Sequence, residues 1–307
     1  MTALAAPCVS HSENRVATRD TDVPPLTPRL QFARGVLVLL CGLCLSLALE
    51  LTLVSAVQQR SAQQRLYDRF RKELATGVAP IGPADIKGKP LALGKPVAYL
   101  EIPAIGLRQV VVEGTTAATM FTGPGHRRDT PLPGQAGTSL IAGRRSTYGS
   151  PFARIGHLKA NTLIHVTTGQ GAFDYRVLDV RRAHQRLPAP FKAGSGRLVL
   201  ATAAGRAFMP SDVLWVDADL MVPAVGAPGG RVAPSALPAS ERLMENDAGT
   251  GWTLAFWLQV LVALLVAGTW AWHRWERKKT WVVFVPALLL VGLAVSGEVA
   301  RLLPNLL

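Results

Sequence analysis

Three long apolar runs, Gly35 to Val57, Trp252 to Trp272 and Trp281 to about Leu303, constrain this chain more than any other feature. Each is close to the roughly 20 residues that a helix needs to cross the hydrocarbon core of a bilayer. In lipid every backbone N–H and C=O must be satisfied internally, so such runs read as helices. The chain is expected to hold three transmembrane helices at 35–57, 252–272 and 281–303, with the lipid bilayer as its first partner. The first run is too long and too far from Met1 for a typical cleaved signal peptide and reads as a signal anchor, although the small residues Ser55 and Ala56 leave processing open.

Basic residues favour the cytoplasmic side of a span. The hairpin 273–280 carries Arg274, Arg277, Lys278 and Lys279, which assigns it to the cytoplasm. Parity then puts residues 1–34 inside and the large central segment outside. Arg60, Arg65, Arg69, Arg71 and Lys72 nearly even the charge balance across the first span, and the hairpin decides the orientation. Glu50 and Glu298 sit within spans near the expected outer ends, where a carboxylate must face protein or reach the interface.

Outside the spans, 1–34 is polar, contains Pro24, Pro25 and Pro28 and has no apolar period, so a disordered tail is expected. Residues 58–96 read as a helical stalk followed by a Pro/Gly-containing linker. The folded domain spans 97–221, where VAYLEI, QVVVEG, TLIHVTT, FDYRVLDV, RLVLAT and VLWVDADL alternate apolar and polar residues between Gly and Pro. Closely spaced strands with only brief helical candidates argue for a closed barrel or a sandwich. The Pro-, Ala- and Gly-rich stretch 222–250 reads as a flexible linker back to the membrane.

The net charge of +13 is spread over tail, stalk, hairpin and domain without interleaved aromatics, which argues against a nucleic-acid partner. Cysteine usage is more decisive. Cys8 lies in the tail and Cys41 and Cys44 in the first span, so the outer domain holds no thiol nucleophile, disulfide or cysteine-ligated metal. His157, His165 and His184 lack the spacing of a metal set, and neither metal nor other cofactor is expected.

Within 97–221 the order of segments resembles that of a sortase, the family of bacterial transpeptidases that cut a sorting signal and join it to a cell-surface amine. The resemblance rests on YLEIPAIGLRQVVVEG, on GPGHRRDTPLPGQAGTSLIAGRRSTYGSPFARIGHL with its GPGH, PGQ and TYGSPF elements, and on RLVLATAA and VLWVDADL. It implies a mainly β, sortase-like closed barrel with short helices, held at the outer face of a bacterial cell membrane.

Sortase chemistry uses a cysteine nucleophile, a histidine acid and base, and an arginine that supports the oxyanion or the peptide. The matching positions here carry Arg144 for the histidine, Ala203 for the cysteine and Val213 for the arginine, or Asp212 if the last loop shifts by one. Alanine has no nucleophile, and a guanidinium cannot act as a base near neutral pH. No catalytic residue is assigned. His126, Arg144, Arg145, Thr202 and Asp212 remain as candidate cleft or ligand contacts, with Ser139, Ser146 and Ser211 nearby. For Arg144 two readings stand: a solvated residue or a partner of Asp212, against a fork of donors for a carboxylate. The sequence is accordingly read as a non-catalytic binding or assembly partner in cell-surface protein anchoring, acting on a surface protein or beside an intact sortase. A rewired transpeptidase or hydrolase and a structural membrane protein are the alternatives, and the oligomeric state is left open.

Overall fold

The computed structural model describes residues 27–307 apart from 86, 87, 183, 207, 229–231, 248, 250 and 276. Its centre is a closed barrel of eight strands: β1 (Pro96–Ile102), β2 (Leu107–Glu113), β3 (Gly125–His126), β4 (Gly137–Ala142), β5 (Leu163–Thr168), β6 (Gly171–Arg182), β7 (Gly196–Arg206) and β8 (Met209–Leu220). Around the barrel they run β1-β2-β3-β4-β7-β8-β6-β5, and β5 returns to β1. The β2–β3 and β4–β7 pairs are parallel and the others antiparallel.

Side-chain alternation sets the inward face. In β6, Phe173, Tyr175 and Val177 point inward between exposed neighbours, as a period of two requires. They meet Leu100, Ile102, Ile141, Phe152, Ile164, Leu198, Leu200 and Val216 in one core. Strand β7 departs from this pattern, because Gly196 through Ala204 are buried without a break. Both of its faces are covered: Leu198 and Leu200 look into the core, while Val199 and Ala201 pack with Leu140 and Leu243 outside it. A strand covered on both faces reads as a continuous apolar run.

The described residues also hold four α-helices, α1 (Pro28–Leu49), α2 (Ser55–Ala75), α3 (Gly251–Arg274) and α4 (Arg277–Arg301), with a π-helical turn at Glu50–Val54 between the first two and short 3-10 turns in the loops. Three stretches, Leu40–Ala75, Gly251–Trp272 and Lys278–Arg301, are long and apolar enough to cross a membrane. Residues 1–42 and 43–307 cluster as separate units. Of the expected disordered tail, residues 1–26 lie outside the described residues, whereas 28–34 are helical, which corrects that expectation. Pro28 is the reason, since proline is favoured in a first helical turn, where its missing N–H costs nothing.

Two further expectations are corrected. The segment 58–74 is no free stalk: α2 lies on the barrel, with Phe70 buried against Val110 and Ala79. Gln63 stands in for a neighbouring strand, its side-chain oxygen accepting from Val110 N–H at 2.7 Å and its amide donating to the carbonyls of Val110 at 3.1 Å and Thr122 at 2.8 Å. The open stretch of β2 beyond the two-residue β3 is thereby covered, which protects an otherwise unpaired edge. Gln63→Leu is expected to lower stability by about 1–3 kcal/mol, the cost of leaving a buried backbone donor unsatisfied. Thermal unfolding of the purified full chain measures it, and an unchanged midpoint refutes this role.

Nor is 222–250 a loose tether among its described residues. Val225 N–H donates to Gly134 O at 2.9 Å, Leu237 is buried, and the wholly buried Glu241 accepts both forks of the Arg128 guanidinium. The Thr115 hydroxyl also donates to the Glu241 carbonyl at 2.5 Å. A few anchors suffice to lay a Pro- and Gly-rich segment along a surface. Glu50 and Glu298 are both buried against protein, and Glu298 lies 3.7 Å from Arg301.

Candidate functional site

The parallel pairing of β4 with β7 brings their C-terminal ends together, with Ala142 beside Ala201. The chain then leaves β4 through Gly143, whose N–H donates to Ala201 O at 2.9 Å and whose carbonyl accepts the Thr202 hydroxyl at 2.7 Å. A side chain is barred at 143, because a Cβ there would sit 2.4 Å from the Phe152 ring. This crossing delivers Arg144 next to Ala203. On the other side of β7, Ala203 pairs with Val213 and Ala204 with Asp212. The three positions matched to the sortase chemistry, 144, 203 and 213, thus converge, and the register selects Val213 over Asp212 as the residue opposite Ala203.

Arg144 is neither solvated nor paired with Asp212, which corrects the first of its two readings. Its side chain is 1% exposed. The guanidinium lies 4.7 Å from the Phe121 ring centroid and 5.1 Å from that of Tyr148, two rings stacked 3.9 Å apart. One nitrogen donates to Thr147 Oγ1 at 3.0 Å and another to Ala117 O at 3.2 Å, while Nε has no partner. Among the described residues no carboxylate forms an ion pair with it. Burial pushes its pKa down to about 10, so it remains a cation at neutral pH. Aromatic faces and neutral oxygens replace its lost water in part. Asp212 is engaged elsewhere, 3.4 Å from His184 and accepting from Val213 N–H at 2.7 Å.

Arg145 donates to the Ala203 carbonyl at 3.1 Å. Thr202 is buried and spends its hydroxyl on Gly143, and Ser139 is buried in β4 with no partner for its hydroxyl. His126 is 0% exposed on β3 between β2 and β4, one residue past the Gly125–Ala142 pair, and presents no surface to a ligand. Its Nδ1 lies 2.9 Å from Glu113 Oε2 and its Nε2 3.0 Å from Pro131 O. Glu113 and the Pro131 carbonyl can both accept, an arrangement that favours the protonated ring, and the Thr130 hydroxyl lies 3.2 Å from Nε2. Burial opposes that charge, but the adjacent Glu113 outweighs it and raises the pKa. Both ring nitrogens are engaged by structural partners, so His126 is held in place within the barrel wall. His165 pairs with Asp174 at 2.6 Å.

The sequence reading missed what covers Ala203. After α4, residues Pro304 to Leu307 turn onto the barrel: Leu306 packs with Ala203, Ala142 and Met120. Arg145 N–H donates to the Leu306 carbonyl at 3.1 Å, and the N–H groups of Ser146 and Thr147 donate to the Leu307 oxygen at 3.0 and 3.2 Å. Thr147 Oγ1 is 3.1 Å from that same oxygen. Asn305 is wholly buried, donating to Thr115 O at 2.8 Å and Arg242 O at 2.7 Å and accepting from Met244 N–H at 2.9 Å. Pro304, which cannot continue a helix, was the available signal that the chain turns there.

Residues 100–206 match the family model for the sortase domain. Sortase D of Bacillus subtilis is 31% identical over 88 residues, 29% of this chain and 43% of that protein, so the match spans less than half of its length. Among solved structures, a Clostridium perfringens sortase D5 transpeptidase aligns with TM-score 0.43 and 20% identity over 53% of this chain and 99% of its own. Sortase E from Streptomyces avermitilis aligns with TM-score 0.38 and 27% identity over 50% and 100%. With the domain match lying on the barrel described above, residues 100–206 form a sortase-like domain.

Proposed function

We propose that this protein is a membrane-anchored, non-catalytic sortase-like protein that binds or helps to assemble a surface protein at the outer face of a bacterial cell membrane. One observation carries the reading: the position matched to the nucleophile is Ala203, 2% exposed and paired with Val213, and the position matched to the histidine is a buried Arg144. Among the described residues, the pocket around Ala203 is lined by Met120, Ala142 and Leu306 and holds no thiol. The basic hairpin at 273–280 supports a cytoplasmic turn between α3 and α4 and hence an external barrel. A surface protein or an intact sortase is the partner such a role calls for.

Cross-linking the full chain in its own membrane and recovering the partner tests this. The purified full chain is expected to bind that partner again while releasing no cleaved product and forming no covalent adduct by mass spectrometry. Turnover that persists after every intact sortase has been removed would overturn the non-catalytic reading.

A further inference from the structure

A cleft opens where the turn between β1 and β2 meets the loop after β4. It measures about 210 Å³, and Gly106, Arg108, Gln109, Gly149, Ser150 and Arg154 are among the residues that line it. That is smaller than the roughly 300–1,000 Å³ of clefts that hold drug-sized ligands, so it suits one small polar group. Its lining carries two guanidinium groups and no Asp or Glu. The Arg154 guanidinium reaches across to Gly106, where a Cβ would lie 3.9 Å from one of its terminal nitrogens. Arg108 meets Glu101 at 3.4 Å, but its side chain is 77% exposed, and so open a pair holds a guanidinium weakly. The Gln109 side-chain oxygen accepts from Gln59 at 2.7 Å, which leaves its amide nitrogen as a further donor. Guanidinium forks match the oxygens of phosphate or carboxylate in pairs, and the place of the cleft decides between the two.

Tyr148, the neighbour of Gly149, is buried in a cluster with Leu51 and Ala300, and its N–H donates to the Ser55 hydroxyl at 3.4 Å. Leu51 and Ala300 belong to the apolar stretches Leu40–Ala75 and Lys278–Arg301. At 1.5 Å per residue, Trp281 to Ala300 covers about 30 Å, the depth of a hydrocarbon core, so Ala300 marks one boundary of that core. On α2, Gln59 lies one turn beyond Ser55, and a Cβ at Gly149 would sit 2.5 Å from its side-chain oxygen. One turn is about 5 Å, which places the cleft at the level of the lipid headgroups. Tyr148, Gly149 and Ser150 have consecutive φ values of 49°, 72° and 50°. Such a turn persists where its surroundings impose it, and here the cluster at membrane level holds one end.

We infer that this cleft is a site for the phosphate of an anionic phospholipid, held by Arg108 and Arg154. A headgroup seated there adds an attachment of the barrel to the bilayer besides its helices. The inference goes beyond the non-catalytic reading and holds for either orientation of the chain, because it needs only that the two apolar stretches lie in the bilayer.

The test places the full chain in nanodiscs of phosphatidylcholine and phosphatidylglycerol in equal parts and reads by native mass spectrometry which lipid stays bound. Phosphatidylglycerol should be retained in preference. Arg108→Gln or Arg154→Gln should each reduce that preference about fivefold, and the two together about thirtyfold, as separate contributions of one charge each give. Both side chains are exposed, so the thermal midpoint should not move. Ser150→Asp is the second variant: it keeps both arginines, tolerates the positive φ and puts a carboxylate in the cleft, which should abolish the preference. Arg60→Gln removes an exposed charge on α2 outside the cleft, and screening should hold its effect within about twofold. An unchanged preference in the double variant or in Ser150→Asp overturns the site, as does an equal loss in Arg60→Gln. Glycerol phosphate in solution is the other arm. If it displaces the bound lipid at submillimolar concentration, a soluble phosphate ester is the ligand and the lipid assignment falls.

Discussion

Replacing His126 by alanine is expected to lower the stability of the barrel by about 3–5 kcal/mol, the cost of removing one partner of a buried ion pair and stranding the other. Glu113 and His126 are both 0% exposed, so the abandoned carboxylate would be left out of reach of bulk solvent. The pair also joins β2 to β3 at Glu113 and His126, the last residues of a two-residue parallel ladder. Little backbone pairing remains there to absorb the loss. A fall of about 10 °C in the thermal midpoint of the purified full chain is the expected reading. The pH dependence has a definite sign. Because the His126 pKa is raised above its ordinary 6.5, its contribution is fully present below about pH 6.5 and is lost as pH rises through the higher folded value. His126→Gln should therefore flatten the decline of stability on the alkaline side. A variant whose midpoint falls with pH as steeply as that of the parent would show that another group carries the effect.

The second large effect is expected at Gly134, in the turn between β3 and β4. Its φ is +94°, a conformation that side-chain-bearing residues avoid, and a Cβ would lie 2.4 to 2.6 Å from three carbons of the Phe173 ring. Gly134→Ala should cost about 1–2 kcal/mol in backbone strain and about 1–3 kcal/mol more in overpacking. Gly134 N–H also donates to the Tyr175 hydroxyl at 2.6 Å, so a shifted turn pulls on the core as well. Phe173→Ala removes the ring but not the strain. The double variant should consequently be more stable than the sum of the two single losses predicts, by about 1 kcal/mol or more. Strictly additive losses in thermal unfolding would refute the clash.

How much of this was legible depended on whether the cause was local. In 123–126 and 133–135 the sequence showed GPGH and PGQ as punctuation, and the structure explains why. A Cβ at Gly125 would lie 2.2 Å from the Gly114 carbonyl, and Gln135 bonds to Leu132 N–H, the Ile81 carbonyl and Gln170. The spacing was readable and the partners were not, since they lie up to 54 residues away. Arg144 shows the same limit. Its identity predicts a charge that seeks water or a carboxylate, and nothing local announces that Phe121 and Tyr148 enclose it. Composition misled at 222–250, where few apolar residues suggested a tether, although Leu237, Glu241 and Leu243 hold it to the barrel.

The three apolar runs, the strand sequence of the barrel and the residue types at 144, 203 and 213 were determined by the sequence alone, because hydropathy, two-residue alternation and chemical identity are properties of short stretches. The closing of the site was decided only by tertiary structure. Ala203, Arg144 and Leu306 are far apart in the chain and meet because β4 and β7 end side by side and α4 returns residues 304–307 to that end. Burial then sets the chemistry: the same arginine that would be an ordinary solvated charge on a surface becomes, beside two stacked rings, a buried cation with no carboxylate partner among the described residues.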